Sequence, residues 1–202
     1  MLAGNPVAAG LLALCSGERL SAVACSLTRH QAASSAVRSA LDLGWERAAG
    51  VQSDPGEIAV VLSDFDVLFG SPDFEVPEHQ SALNDSVVAA EYALRAVTGG
   101  APQAAVDALD HCRNVYFQMA VKTWPRLDVD VLNNSPVVQA EIRREVREAQ
   151  TIASLGTVIA AEAVAILRRA AHADSEVLIR LLRGEAPTKA EPRPPSFQGT
   201  LF

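Results

Sequence analysis

Three times along this chain a short polar side chain stands directly before a proline, and each time apolar residues at helical spacing follow: Asn5-Pro6, Asp54-Pro55 and Asn134-Ser135-Pro136. Such a side chain accepts a hydrogen bond from an otherwise unpaired amide of a helix's first turn, and proline loses nothing at the first helical position. Starts of this kind, spread over 202 residues, commit the chain to helices. No stretch alternates apolar and polar residues with the β-branched enrichment of a strand. The expected fold is therefore all-α: a compact bundle of about eight helices over residues 1–184, followed by a Pro-rich disordered tail, residues 185–202.

In chain order, Leu11, Leu12, Cys15, Leu20, Val23, Ala24 and Leu27 recur at helical spacing, with Gly17 as the joint between two helices. A third helix runs from Gln31 to Ala49, with Ala33, Val37, Ala40, Leu41, Gly44, Trp45 and Ala48 on one stripe and Gly50 ending it. Ile58, Val61 and Leu62 mark a short helix. The stretch Asp64–Pro77, broken by one glycine and two prolines, reads as an irregular connector, its Asp64, Asp66, Asp73 and Glu75 being a solvated acidic loop without calcium-loop spacing.

Asp85 is expected to cap a helix to Thr98, and Pro102 starts a longer one to Thr123; the Gly99-Gly100 link makes them an antiparallel pair. From Pro136 to Leu155, Val138, Ile142, Val146, Ala149 and Ile152 are expected inward. Glu141, Arg143, Arg144, Glu145, Arg147 and Glu148 would face water, with pairs such as Arg144 to Glu148. A nearly all-apolar central helix, Val158–Ala171, and a last one capped by Asp174 or Ser175 and running through Arg183 complete the body.

The 17 Lys and Arg against 24 Asp and Glu leave a formal net charge of −7 with no basic block, which argues against direct gripping of a phosphate backbone. Cys15, Cys25 and Cys112 have no C-x-x-C spacing and sit in helical surroundings, as buried free thiols of a reducing cytoplasm do. Leu2–Val23 is interrupted by Glu18 and Arg19 and has no basic flank, so it is read as neither signal peptide nor membrane helix.

No motif of catalysis stands out. His30, His79, His111 and His172 are scattered, and there is no phosphate loop or nucleophile elbow. His111 and Cys112 are neighbours, but adjacent helical residues point about 100° apart, so they make no nucleophile and base pair. Glu91 and Asp107 are the carboxylates placed to share a groove of the helical pair, without the Glu-x-x-His pattern of a di-iron site. No cofactor or metal is expected.

Asn5-Pro6, Val23-Ala24-Cys25, Leu41-Asp42-Leu43-Gly44-Trp45-Glu46 and Ser135-Pro136-Val137-Val138-Gln139-Ala140-Glu141 together resemble the YjaG-like family of small bacterial helical proteins over about the first 155 residues. The resemblance implies a compact helical fold and no particular activity.

Glu185–Ser196 holds Pro187, Pro192, Pro194 and Pro195 among Thr, Lys, Glu, Ala and Arg, a composition that buries too little to fold. It leads to Gln198-Gly199-Thr200-Leu201-Phe202, which resembles the Q-x-x-L-F peptide by which bacterial replication and repair proteins bind the DNA sliding clamp. The resemblance implies Leu201 and Phe202 as apolar anchors, Gln198 as the hydrogen-bonding residue and the clamp's β subunit as partner; Phe197 is a further apolar group placed outside any helical stripe. The expected function is a non-enzymatic interaction protein acting in DNA replication, repair or their inhibition. The alternative is an acidic helical immunity or regulatory protein that neutralises a basic partner. A third reading, an enzyme built on Asp64 and Asp66, has only the acidic stretch to support it.

Overall fold

The polar-residue-plus-proline starts behave as expected in the computed structural model, which describes residues 5–26, 30–71, 81–99, 102–156 and 159–183. Asn5 Oδ1 accepts from the Ala8 amide at 3.1 Å, Asp54 Oδ1 from Gly56 at 2.9 Å, and the Ser135 hydroxyl caps the helix that Pro136 begins. The described residues form eight α-helices and no strand: α1 (Pro6–Ser26), α2 (Gln31–Ala48), α3 (Pro55–Phe69), α4 (Ser81–Gly99), α5 (Pro102–Thr123), α6 (Val129–Asn133), α7 (Pro136–Ser154) and α8 (Ala161–Leu182). Gly50, at φ +85°, turns the chain out of α2 as a left-handed residue after a helix does.

The central helix is α1, not the stretch from Val158 that was expected there. It lies against α2, α4, α5, α7 and α8, and Ala8 through Ala24 are buried without interruption. Its Pro6–Cys25 window is long and apolar enough to cross a membrane, yet 89% of that window is buried by the other helices. Gly17 is no joint, since α1 runs straight through it. A Cβ there would stand 2.9 Å from Leu41 Cδ2, so the missing side chain serves close packing of α1 on α2. Gly10 does the same against α4, where a Cβ would meet Val97 Cγ1 at 2.6 Å.

Four further boundaries differ from expectation. Helix α3 continues through Asp64 and Asp66 to Phe69, because Phe65 and Leu68 extend the Ile58–Val61–Leu62 stripe and are buried. The break falls at Gly70, so Asp64 and Asp66 are exposed helical residues rather than loop residues; Asp73 and Glu75 lie outside the described residues. Asp85 is no cap: α4 begins at Ser81, which places Asp85 one turn inside and buried. Residues 161–182 form one helix, with Asp174 and Ser175 in its interior and Val164, Leu167, Ala171, Ser175 and Leu178 on its buried stripe. The short α6, capped by Asp128, was not anticipated.

The largest departure is the face of α7. Val138, Glu141, Glu145 and Ile152 are its buried residues, while Val146 is 50% exposed. The carboxylates placed on the water side by sequence point inward.

Candidate functional site

Gln198, Leu201, Phe202 and Phe197, the residues singled out by sequence, lie outside the described residues. Two polar constellations in the described body remain to be weighed as sites.

The first is the ionic interior around Arg19. A charge in the middle of a helix buried on all sides must find partners, since an isolated ion transferred from water is strongly disfavoured. Arg19 Nη2 donates to Glu141 Oε1 at 2.8 Å and to Ser16 Oγ at 3.1 Å, and Nη1 donates to Glu148. Glu141 also accepts from Arg144 Nη1 at 2.7 Å and from the Cys112 thiol at 3.4 Å. Arg144 reaches on to the Tyr116 hydroxyl at 3.3 Å and, through Nε, to Asp174 at 3.1 Å. Arg113 binds Glu145 Oε2 through Nε at 2.8 Å and Nη2 at 2.6 Å. Helices α1, α5, α7 and α8 are thus joined by one set of charges.

Its electrostatics divide the carboxylates. Burial would raise Glu141, but the charges of Arg19 and Arg144 outweigh it and hold the carboxyl below its usual range. Burial pushes Glu145 up to about 7 despite Arg113, and it raises Glu148 as well. Glu145 Oε1 and Glu148 Oε2 are both buried without a hydrogen-bond partner among the described residues. Desolvation, then the Glu141 carboxylate, raises the Cys112 thiol well above its ordinary value, and desolvation, then Glu148, does the same for Cys15. Reactive cysteines need the opposite shift, so neither thiol is poised as a nucleophile. Cys25, expected to be buried, is exposed.

Glu18 organises a neighbouring node. Its carboxylate accepts from Trp45 Nε1 at 3.0 Å and Arg38 Nη1 at 3.1 Å, and His172 Nδ1 stands at 3.2 Å. Arg168 pairs with Asp42 beside it. Trp45 is therefore core with a bonded indole, while Glu46 is exposed.

The second constellation is open to solvent. His111 Nδ1 lies 2.8 Å from Asp85 Oδ1, and Asn114 Nδ2 donates to Asp85 Oδ2 at 2.6 Å. The Tyr92 ring stacks on His111 with centroids 6.0 Å apart. These side chains, with Asp107 and Asp110, line a hollow of about 290 Å³. An adjoining hollow of about 420 Å³ is lined by Phe117, Val138 and Ile142 together with Arg113, Asn133, Asn134 and Gln139, and Asp110 and Asn114 line both hollows.

An imidazole held by a carboxylate is half of a general-base arrangement, but among the described residues no Ser, Thr or Cys lines this hollow to serve as its nucleophile. His111 and Cys112 point apart as expected, one to Asp85 and the other to Glu141. Glu91 pairs with Arg95 and does not share a groove with Asp107, which accepts from Gln103. Among the described residues no group of three or more His, Cys, Asp or Glu is arranged to hold a metal ion.

Sequence reasoning missed the Arg19 centre, though a signal was present. Glu141, Glu145, Glu148 and Ile152 follow one another at spacings of four, three and four, the same stripe as Val138. An arginine within a helix otherwise lacking a polar face calls for such a partner. No protein-family model matches this chain, and neither does any curated protein or solved structure.

Proposed function

We propose that this chain is a non-enzymatic interaction protein that binds the β sliding clamp of bacterial replication through Gln198, Leu201 and Phe202, with Phe197 adding apolar contact. The observation that carries the reading is the peptide itself: two adjacent large apolar side chains three residues after a glutamine, preceded by a segment with four prolines that no helix can absorb. Burying one such side chain in a partner is favourable by about 1.5–3 kcal/mol. The chemistry of the body agrees, because its buried acids and bases bind one another and its two buried thiols are held protonated.

The test is equilibrium binding of purified clamp to the full chain and to a chain ending at Ser196. Loss of binding on truncation, and a weakening of at least about 1 kcal/mol for each of Gln198→Ala, Leu201→Ala and Phe202→Ala, is the expected result. Equal affinity of the full and shortened chains would discard the reading. A second reading, an acidic body that covers a basic partner, is favoured by the exposed face of α3, where Glu57, Asp64 and Asp66 stand among Val60, Val67 and Phe69 without a cation on the helix. Under it, a basic protein would co-purify equally with the full and the shortened chain.

A further inference from the structure

We propose that the outward face of α3 is the docking surface for a helix of another protein, one that carries Lys or Arg in register with apolar side chains. Between Ala48 and Leu94 lie nine of the chain's 24 acids and none of its 17 Lys and Arg. The rest of the chain holds 15 acids against those 17 bases, so the whole negative excess resides in this one segment. Within it, Asp85 is bonded to His111 and Asn114 of α5, Glu91 pairs with Arg95, and Asp54 caps its own helix. Glu57, Asp64 and Asp66 of α3 are exposed, and none of the three has an ion pair among the described residues. Their charge is available to a partner of opposite sign.

The arrangement of those charges fixes the shape of the partner. Glu57, Val60, Asp64 and Val67 follow one another at spacings of three, four and three, which puts them on one stripe about 15 Å long. Val60 and Val67, 63% and 69% exposed, are the most exposed large apolar side chains among the described residues. Nothing local accounts for them, because a β-branched residue is a poorer helix former than alanine or glutamate. The inner face of α3, with Val61, Phe65 and Leu68, is buried in the core it shares with α2 and α4. Beside the stripe, Gly56, Ala59 and Ser63 are small and exposed, so a second backbone can come close. Side chains along the stripe recur about every 5 Å, the interval at which a partner helix repeats. An extended segment shows one face about every 7 Å and falls out of step within that length. Two copies of α3 face to face would bring like charges together, so the occupant is a different protein. The proposal rests on the second reading above, the acidic body that covers a basic partner, and names the face and form of that contact.

The experiment titrates the isotopically labelled full chain with a synthetic helix that alternates Lys and Leu along one face at spacings of three and four, with Ala and Gln elsewhere. A control peptide has the same composition in scrambled order. The methyl resonances of Val60 and Val67 should shift and saturate with the helix, at a Kd at least about tenfold below that of the control. The exposed substitutions Glu57→Gln with Asp64→Asn, and separately Val60→Ser, should each weaken binding about fivefold or more while the thermal unfolding midpoint stays in place. Equal binding of the two peptides would overturn the proposal, because net charge alone would then suffice, and so would the absence of any shift. Shifts centred on the hollow beside His111 would keep the acidic-body reading but overturn this face. Methyl shifts that follow the concentration of the chain before any peptide is added would also overturn it, since a second copy would then cover the stripe. A chain ending at Ser196 should bind the helix as the full chain does, so failure of the clamp reading leaves this result untouched.

Discussion

Arg19 of α1 and Glu141 of α7 stand 122 residues apart in sequence and meet at 2.8 Å, with neither side chain reached by solvent. The pair registers α1 against α7. A buried pair of this kind adds little net stability over an apolar replacement, but removing one partner strands the other's charge.

Glu141→Leu should therefore destabilise the body by about 3–5 kcal/mol, because it leaves Arg19 and Arg144 short of an acceptor. Arg19→Met should cost a similar amount. The double variant should cost clearly less than the sum, by about 1–3 kcal/mol of coupling. Urea unfolding of the four proteins measures this directly. Additive losses would mean that the pair does not carry the registration.

Two glycines of α1 should respond differently to a methyl group. A Cβ at Gly10 would lie 2.6 Å from Val97 Cγ1 and 3.3 Å from that residue's Cα. A β-branched side chain has little rotational escape and the backbone behind it has none, so Gly10→Ala should destabilise by about 1–3 kcal/mol. At Gly17 the close atom is Leu41 Cδ2 at 2.9 Å, the far end of a side chain that can swing aside. The gain of up to about 1 kcal/mol from replacing a mid-helix glycine offsets that movement, and Gly17→Ala should be near neutral. Thermal unfolding midpoints of the two variants provide the comparison.

These contrasts show how far the sequence could be read. Helix α5 was legible from Pro102 to Thr123 because proline opens it and Trp124-Pro125 closes it, both local effects. Gly17 was misread for a reason that is not local. Its role depends on α2 lying against it, and a glycine flanked by apolar residues looks the same whether it breaks a helix or seats one. Asp85 was misread likewise: its value as a cap can be judged from its neighbours, but its bonds to His111 and Asn114 require α5 to pack beside it. The face of α7 was legible only in part: Val138 and Ile152 are buried as their spacing implies, but the partners that make Glu141 and Glu145 inward residues are Arg19 of α1 and Arg113 of α5, on other helices. Gln198, Leu201 and Phe202 lie outside the described residues, and the proposed function rests on their sequence pattern alone.

The raised carboxyl of Glu145 gives the body an unusual dependence on pH. In the unfolded chain a glutamate titrates near 4.5, whereas in the folded body burial lifts this one to about 7. Between those values the folded state holds a proton that the unfolded state has released, so stability falls as pH rises through that window and levels off above it. Glu148, also raised by burial, works in the same direction. Glu141 works in the other, but its carboxyl lies below the usual range, so it weakens the fold only in stronger acid. Stability should therefore be greatest in mildly acidic solution and decline toward pH 7.5, by on the order of 1–3 kcal/mol. Glu145→Gln keeps the size of the side chain and one acceptor for Arg113 while removing the titration. It should flatten the decline and make the variant more stable relative to the parent at pH 7.5 than at pH 5. Urea unfolding at closely spaced pH values checks this, and a parent protein that gains stability from pH 5 to 7.5 would refute the assignment of Glu145 as the buried acid that sets the slope.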